Sequence, residues 1–244
     1  MKKRCTAILL AAGAGKRMES KVAKQYMPLN GKPVIWYGLQ AFEESALIDN
    51  IILVVGRGET DYARREIVEH YGFKKVDAII EGGAERFESV NRALQVIAEG
   101  RMKTPNREGY VFIHDGARPL VTQKIIEDTY DAAVRHGACC AAVPVKDTIK
   151  YADENGFAKK TPERERLFAV QTPQVFETAL ILKAYRLLTE YLAEPENEEI
   201  KVTDDAMVVE TMLHYPVKLV RASYKNIKIT TPEDMETAKI FLHG

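Results

Sequence analysis

Short apolar runs alternate with segments of helical period along the chain as far as Val145. Five runs rich in Ile, Val and Ala have the length of buried strands, at residues 6–11, 50–55, 76–80, 110–114 and 138–145. Between them, apolar residues recur with a helical period at residues 34–45, 60–71, 86–98 and 123–136. This order predicts βαβ units, and therefore an α/β fold with a mostly parallel sheet that has helices on both faces.

The pattern changes after Val145. Residues 147–151 and 158–161 are polar and predict a short β-hairpin that turns at Asn155-Gly156. These strands carry too much charge for a core, so residues from about 146 to 170 should project as an arm that packs on a second protomer. Helices are expected again at 177–191 and 204–214, and a last one begins at Thr231-Pro232. We expect a single domain spanning residues 1–244, with this dimerisation arm.

The charge balance excludes several classes of partner. Lys plus Arg number 35 and Asp plus Glu number 35, so the formal net charge is zero. Binding to nucleic acid or to a membrane surface needs a sustained excess of positive charge, so neither partner is expected. Apolar runs are far shorter than the ~20 residues that span a bilayer, and the N-terminus lacks the pattern of a signal peptide. The three cysteines have neither disulfide nor zinc-site spacing, which predicts a cytoplasmic protein.

A glycine-rich loop after the first strand is the strongest candidate for chemistry. Its sequence is Ala11-Ala12-Gly13-Ala14-Gly15-Lys16-Arg17, and Lys24 follows. Backbone N–H groups between glycines can close on an anion, and the neighbouring cations suit a polyphosphate. The loop lacks the glycine and the Ser or Thr of a P-loop, and it lacks the third glycine of the dinucleotide fingerprint. From the loop alone, a tight turn with solvated cations is the alternative.

A second candidate is His114-Asp115-Gly116-Ala117-Arg118-Pro119, directly after an apolar strand. The carboxyl ends of parallel strands are where open α/β sheets bind ligands. Asp115, near a phosphate-binding loop, is a natural Mg²⁺ ligand, and Arg118 can hold a second anion with two hydrogen bonds. The alternative is that Asp115 caps a turn with Arg118 as its ion-pair partner.

Seven motifs in a fixed order resemble one known family. They are Ala-Ala-Gly-x-Gly-x-Arg-Met, Lys-Gln-Tyr, Gly-Gly-x-x-Arg-x-x-Ser-Val, His-Asp-x-Ala-Arg-Pro, Pro-Val-x-Asp-Thr, Thr-Pro-Gln and Asn-Ile-Lys-x-Thr. From about Ala7 to Leu242 the chain is similar to the 2-C-methyl-D-erythritol 4-phosphate cytidylyltransferases of the non-mevalonate isoprenoid pathway. Two positions depart from that pattern: Ala23 stands where proline is expected, and Gly116 where alanine is frequent.

The resemblance implies a Rossmann-like nucleotidyltransferase fold and transfer of CMP from CTP to 2-C-methyl-D-erythritol 4-phosphate, with release of pyrophosphate. The acceptor phosphate attacks the α-phosphorus of CTP in line. Because a phosphate monoester has its second pKa near ~6, this nucleophile is already ionised at neutral pH and needs no general base. The resemblance also implies Mg²⁺ as the cofactor and a homodimer in which each arm reaches the other protomer's site.

The same resemblance assigns roles to individual residues. The catalytic cations are Arg17, Lys24, Arg164 and Lys228, the first two of them on the CTP phosphates. The nucleotide-binding residues are Ala11, Ala12, Gly13, Ala14, Gly15, Gly83 and Ser89. The acceptor-binding residues are Asp115, Arg118, Thr148 and Thr172, and Asp115 also falls near Mg²⁺. Arg164 lies in Pro-Glu-Arg-Glu-Arg, so Arg166 is the alternative at that position.

Other functions stay open at this point. A cytidylyltransferase for another polyol phosphate, such as D-ribitol 5-phosphate, shares the glycine loop, Asp-x-x-Arg-Pro and Asn-Ile-Lys, whereas Pro-Val-Lys-Asp-Thr favours the methylerythritol enzyme. A non-catalytic nucleotide-binding protein would keep the fold without turnover, although every cation that the chemistry needs is present. An NAD-dependent dehydrogenase is disfavoured by the missing glycine and the missing ribose-binding acid.

Overall fold

Seven strands form the central sheet in a computed structural model, which describes residues 3–13, 23–103, 108–197 and 200–243. The strands of the chain are β1 (Cys5–Ala11), β2 (Pro28–Leu29), β3 (Lys32–Pro33), β4 (Asn50–Val55), β5 (Val76–Glu81), β6 (Tyr110–Asp115), β7 (Ala138–Pro144), β8 (Tyr151–Ala152), β9 (Ala158–Lys160), β10 (Phe168–Glu177) and β11 (Lys218–Arg221). The sheet has the order β11-β7-β10-β6-β1-β4-β5. Strand β10 is antiparallel to both its neighbours, and the other pairs are parallel. The predicted α/β fold with a mostly parallel sheet is confirmed.

Helices cover both faces of this sheet. They are α1 (Val34–Glu44), α2 (Thr60–Tyr62) with a π-helical continuation (Ala63–Glu69), α3 (Arg86–Ala98), α4 (Gln123–His136), α5 (Thr178–Ala193), α6 (Asp205–Leu213) and α7 (Pro232–His243). Successive side chains of a strand point to opposite faces, so Ala7 and Leu9 pack with α1 and α4, while Ile8 packs with α3, α5 and α6. Burial on both faces explains why the inner parallel strands β1 and β4 are almost continuously apolar.

Local sequence fixes the bounds of α4. The Oγ1 of Thr122 accepts a hydrogen bond from the backbone N–H of Ile125 at 3.3 Å, which caps the first turn. The helix ends at Gly137, whose φ of +73° suits glycine, and Arg135 and His136 lie in the last turn against the negative end of the helix dipole. These signals are local, and the predicted bounds of this helix, 123–136, are confirmed.

The helix predicted at residues 60–71 is present, with a π-helical middle (Ala63–Glu69) between α-helical ends. Two strands of the central sheet, β10 and β11, were not predicted. Strand β10 was missed because its centre is polar and because it contains a proline next to a β-bulge. Prolines in sheets are mostly found at edges and bulges, so a proline argues against an inner strand. Strand β11 is only four residues long and largely exposed.

The predicted polar hairpin is present, with shorter strands than expected. All residues of strands β8 and β9 are exposed, and Gly156 in the turn has a φ of +84°. The carboxylate of Asp153 accepts hydrogen bonds from the backbone N–H groups of Asn155 and Phe157 and so closes the turn. Strand β10 begins at Phe168, so residues 168–170 of the predicted arm belong to the central sheet.

The parallel strands bring their carboxyl ends to one edge of the sheet. Ala12 and Gly13 follow β1, Gly82 and Gly83 follow β5, and Asp115 ends β6. These turns therefore lie beside one another, as expected for the ligand-binding edge of an open α/β sheet. Within the described ranges, no helix combines the length and the apolar character needed to cross a membrane.

Candidate active site

Two adjoining clefts open at this edge of the sheet. The first cleft lies between the turn after β1, the Gly83–Arg86 turn into α3 and the short 3₁₀ turn Lys24–Tyr26. The second cleft lies between the centre of β10, the segment before α6 and Arg118. Arg86, Asp115 and Lys228 line both clefts. These three charged side chains therefore form the boundary across which two bound molecules would meet.

The wall of the first cleft depends on close packing at Gly82 and Gly83. A Cβ on Gly82 would overlap the Cβ of Ala12 and would lie 2.6 Å from Ser89 Oγ. Ser89 Oγ accepts a hydrogen bond from the backbone N–H of Gly83 at 3.0 Å and donates one to the carbonyl of Glu85 at 3.2 Å. Ser89, predicted to contact the nucleotide, thus also shapes the turn that lines the cleft.

The turn that carries Lys24 is anchored by its two following residues. The side-chain amide of Gln25 donates a hydrogen bond to the carbonyl of Ala11, at the end of β1. The hydroxyl of Tyr26 donates to Glu59 at 2.9 Å, and burial together with Glu59 raises the pKa of Tyr26 far above its usual range. Lys24 lines the first cleft from this fixed backbone, which suits a cation that has to meet an anion at a set position.

Asp115 is surrounded by three cations at the boundary of the clefts. Its Oδ1 lies 3.1 Å from Nε of Arg86, and its Oδ2 lies 2.8 Å from Nζ of Lys228 and 3.7 Å from Nε of Arg118. Burial alone would raise the pKa of this carboxyl, but Arg86, Lys228 and Arg118 outweigh burial and hold the pKa well below its usual range. Asp115 is therefore a fixed negative charge that arranges cations, and it is unsuited to proton transfer at neutral pH.

Sequence reasoning did not assign a role to Arg86, Asp205 or Gln174. Nη2 of Arg86 lies 2.8 Å from Oδ2 of Asp205, whose other oxygen accepts a hydrogen bond from Tyr185 at 2.6 Å. Gln174, in β10, accepts hydrogen bonds from the backbone N–H groups of Asp205 and Ala206 and so joins the start of α6 to the sheet. Arg86 stands in the Gly-Gly-x-x-Arg motif, and that position was the available signal.

His114 and Thr172 connect β6 to β10 below the second cleft. Nε2 of His114 lies 3.0 Å from the carbonyl of Arg118, which can only accept, so Nε2 carries the proton. Nδ1 then accepts a hydrogen bond from the hydroxyl of Thr172, whose oxygen accepts one from the backbone N–H of Asp115. Thr172, predicted to contact the acceptor, therefore also fixes the backbone beneath Asp115.

We expect His114 to make folding sensitive to acid. Burial lowers the pKa of His114 from 6.5 to about 4, so the unfolded chain takes up a proton that the folded chain excludes. The neutral form of His114 therefore stabilises the folded chain fully above pH 6.5, and this stabilisation is lost as the pH falls towards 4. Over this range the free energy of unfolding falls by up to about 3 kcal/mol. Urea unfolding at pH 7 and pH 4.5 should show the loss. His114→Gln keeps a donor at the Nε2 position without titrating, and an equal loss in this variant would contradict the assignment.

The Asn226–Lys228 segment closes the second cleft. The side-chain amide nitrogen of Asn226 donates hydrogen bonds to Oε1 of Gln171 at 3.1 Å and to the backbone carbonyl of Thr172 at 2.9 Å. Arg118 donates to the carbonyl of Asn226 at 2.9 Å. Through these bonds the segment places Lys228 against Asp115, so that the second cleft contains three cations, Arg86, Arg118 and Lys228, around the Asp115 carboxylate.

The predicted site residues fall into three groups. The first cleft is lined by Ala11, Ala12, Gly13, Lys24, Gly83 and Ser89, the second by Arg118 and Thr172, and both by Asp115 and Lys228. Thr148 and Arg164 line neither cleft of their own chain and lie exposed in the arm. There, Nη1 of Arg164 donates a hydrogen bond to the carbonyl of Lys146. Arg166, the alternative to Arg164, forms an ion pair with Glu163. Ala14, Gly15 and Arg17 lie outside the described residues.

The described residues do not fit a Mg²⁺ ion held by the protein alone. Among them, no group of three His, Cys, Asp or Glu side chains could hold a metal ion. Both oxygens of Asp115 already face cations, so binding Mg²⁺ there would require the ion pair with Arg86 or Lys228 to open. The placement of Asp115 near a Mg²⁺ ion carried by a nucleotide stays a prediction.

Comparisons with known proteins agree along nearly the whole chain. A family model described as "IspD: 2-C-methyl-D-erythritol 4-phosphate cytidylyltransferase" matches residues 5–244. Proteins named 2-C-methyl-D-erythritol 4-phosphate cytidylyltransferase are similar to this chain: one from Lachnospira eligens is 53% identical over 98% of this chain and 99% of its own length, and one from Alkaliphilus oremlandii is 46% identical over 96% and 93%.

Solved structures show the same similarity. The 4-diphosphocytidyl-2C-methyl-D-erythritol synthase of Anaerococcus prevotii superposes with a TM-score of 0.82 at 32% identity, over 100% of this chain and 97% of that one. The 2-C-methyl-D-erythritol 4-phosphate cytidylyltransferase of Francisella tularensis superposes with a TM-score of 0.78 at 31% identity, over 98% and 99%.

Proposed function

This chain belongs to the 2-C-methyl-D-erythritol 4-phosphate cytidylyltransferase family, and from that premise we propose how its two clefts divide the reaction. It is a nucleotidyltransferase that transfers CMP from CTP to 2-C-methyl-D-erythritol 4-phosphate. The first cleft binds CTP and the second binds the acceptor. The observation that carries this division is the boundary shared by the clefts, where Arg86, Asp115 and Lys228 line both.

The acceptor phosphate lies at this boundary and attacks the α-phosphorus of CTP. Its second pKa near ~6 leaves it ionised at neutral pH, so the protein supplies no general base. The chemical difficulty is to bring two anions together and to stabilise the negative charge that develops on the leaving pyrophosphate. Lys24 from the first cleft and Lys228 from the boundary supply positive charge, and Arg17 is assigned the same role in the glycine-rich loop. Arg118 holds the acceptor phosphate in the second cleft.

Mg²⁺ is proposed to arrive on the triphosphate of CTP. The support is the chemistry of the site: Mg²⁺ commonly keeps waters and substrate phosphates as ligands, and Asp115 is occupied by cations. When bound, the ion would offset charge on the phosphates. A cytoplasmic location is part of the same proposal, and it is supported by the buried thiols of Cys139 and Cys140, neither of which forms a disulfide.

The arm is proposed to make the active unit a homodimer, in which residues 1–244 of each chain form one domain. Large apolar side chains are exposed along the arm and its root, with exposed fractions of 73% for Phe157, 59% for Tyr151 and 40% for Ile149. Exposed apolar side chains that cluster on one projecting segment favour a protein contact. Thr148 and Arg164 line neither cleft of their own chain, which suits residues that complete the partner's second cleft.

Mixed subunits test this arrangement. Lys24→Ala removes a cation from the first cleft, and Arg164→Ala removes the predicted contribution of the arm. If the arm completes the partner's cleft, a heterodimer has one site that carries both changes and one that carries neither. We therefore expect mixtures of the two inactive variants to recover part of the wild-type turnover number. An unrecovered activity, with subunit exchange shown by native mass spectrometry, would place Arg164 in its own chain's site.

The acceptor is tested by pyrophosphate release. The purified chain with CTP and Mg²⁺ should release pyrophosphate rapidly when 2-C-methyl-D-erythritol 4-phosphate is added, and far more slowly with D-ribitol 5-phosphate. A preference for D-ribitol 5-phosphate would move the chain to another polyol-phosphate reaction with the same clefts. Binding of CTP without turnover on either acceptor would support a non-catalytic protein.

Omission of Mg²⁺ in the presence of a chelator should abolish turnover.

A further inference from the structure

The side chain of Arg86 joins two carboxylates that come from different parts of the fold. Its Nε lies 3.1 Å from Oδ1 of Asp115, at the end of β6. Its Nη2 lies 2.8 Å from Oδ2 of Asp205, the first residue of α6. Asp205 is completely buried and also accepts a hydrogen bond from Tyr185 in α5. One guanidinium therefore connects the boundary of the two clefts to the buried face of two helices.

The location of Arg86 on its own helix argues for a specific role. Arg86 is the first residue of α3, where the positive end of the helix dipole disfavours a cation. Burial further disfavours its charge, yet Asp205 and Asp115 more than compensate and hold the pKa of Arg86 above its usual value. A cation at this unfavourable position is stabilised by the two carboxylates, so the arrangement depends on all three groups together.

The geometry requires a guanidinium. The two contacts use different nitrogen atoms, Nε and Nη2, each directed at a different carboxylate. A planar fork of donors can satisfy two acceptors at once, whereas the single nitrogen of a lysine behaves as a point charge. Lysine at residue 86 would therefore hold one carboxylate well and leave the other poorly paired.

We propose that Arg86 is a positioning residue for the acceptor. Its bond to Oδ1 fixes the plane of the Asp115 carboxylate, so that Oδ2 faces Lys228 and Arg118 at 2.8 and 3.7 Å. These cations are then held at the spacing that the acceptor phosphate needs. The inference rests on the proposed function, since it requires that the second cleft binds the acceptor. Arg86 acts through Asp115 and need not touch the acceptor.

The test removes Arg86 without leaving a buried charge unpaired. In the double variant Arg86→Met/Asp205→Asn, residue 205 loses its charge and keeps an oxygen for Tyr185, so the fold has no isolated buried carboxylate. The matched control is Arg186→Met/Glu190→Gln, which makes the same changes of charge in an exposed pair on α5. For each variant, pyrophosphate release gives kcat and the KM for 2-C-methyl-D-erythritol 4-phosphate, and calorimetry gives the Kd for CTP.

We expect the double variant to fold, to lose far less affinity for CTP than for the acceptor, and to show a KM for the acceptor that is raised by about tenfold or more. Arg86→Lys should retain most of this increase, and the control should match wild type. An unchanged KM, or equal losses in CTP and acceptor binding, would overturn the inference. A wild-type chain that releases no pyrophosphate with this acceptor would instead contradict the proposed function, so the two failures are distinguishable.

Discussion

Replacing Lys24 by alanine is expected to lower kcat by about 10²-fold or more, which is the effect of removing one preorganised charge donor from a phosphoryl-transfer site. The backbone around Lys24 is held by Gln25 on Ala11 and by Tyr26 on Glu59, so its ammonium group needs little reorganisation as charge develops on the leaving pyrophosphate. Stopped-flow or steady-state pyrophosphate release measures the loss, and calorimetry with CTP shows whether the nucleotide still binds.

The control for this variant is Lys239→Ala, which removes a surface lysine of α7 whose ion pair is with Glu236. It should leave kcat unchanged. Full turnover in Lys24→Ala, with CTP binding intact, would remove Lys24 from its assigned role. Arg17→Ala is expected to give a loss of the same size, because the family resemblance places both cations on the CTP phosphates.

Replacing Gly82 by alanine is expected to lower kcat/KM for CTP by on the order of 10²-fold, since a displacement of about 1 Å at a positioning group has effects of this size. The new Cβ would overlap Ala12 on one side and meet Ser89 Oγ at 2.6 Å on the other. The residue cannot shift freely, because its backbone N–H donates to the carbonyl of Val55 at 2.8 Å. The melting temperature should also fall by roughly 5 °C, as overpacking typically costs 1–3 kcal/mol.

A second substitution makes this prediction specific. Ala12→Gly removes one of the two overlaps, so the double variant Gly82→Ala/Ala12→Gly should recover part of the melting temperature and of the affinity for CTP. Gly38→Ala is the matched control, because its Cβ would have its nearest neighbour, in Leu9, at an ordinary 3.7 Å. Wild-type CTP affinity in Gly82→Ala would show that the wall of the first cleft can relax.

The apolar strands of the sheet were predictable because a continuous apolar run in the local sequence is enough to indicate a buried strand. Strand β4 is six apolar or small-polar residues between turns, and the predicted bounds 50–55 are the observed ones. Strand β10 was not predictable in this way. Its buried Gln171, Thr172 and Gln174 are satisfied by Asn226, His114 and the start of α6, which are distant in sequence. A local pattern cannot show that a polar strand has such partners.

The same distinction applies to the candidate site. The turns after β1, β5 and β6 carry local motifs, so sequence reasoning found the walls of the first cleft and Asp115. Arg86 belonged to a recognised motif, but its role became visible only through Asp205, which lies 119 positions further along the chain. The roles of Thr148 and Arg164 stay predictions, because they require a second chain.

The root of the arm has a consequence for how relatives of this chain can diverge. Phe168 pairs with Pro144, and the N–H of Val145 donates to the carbonyl of Leu167. Residues 146–166 therefore leave the end of β7 and return to the start of β10 at adjacent positions of one antiparallel strand pair. The entropic cost of closing a loop grows slowly with its length. Insertions and deletions within this segment can therefore be accommodated while the strands that hold the first cleft keep their register.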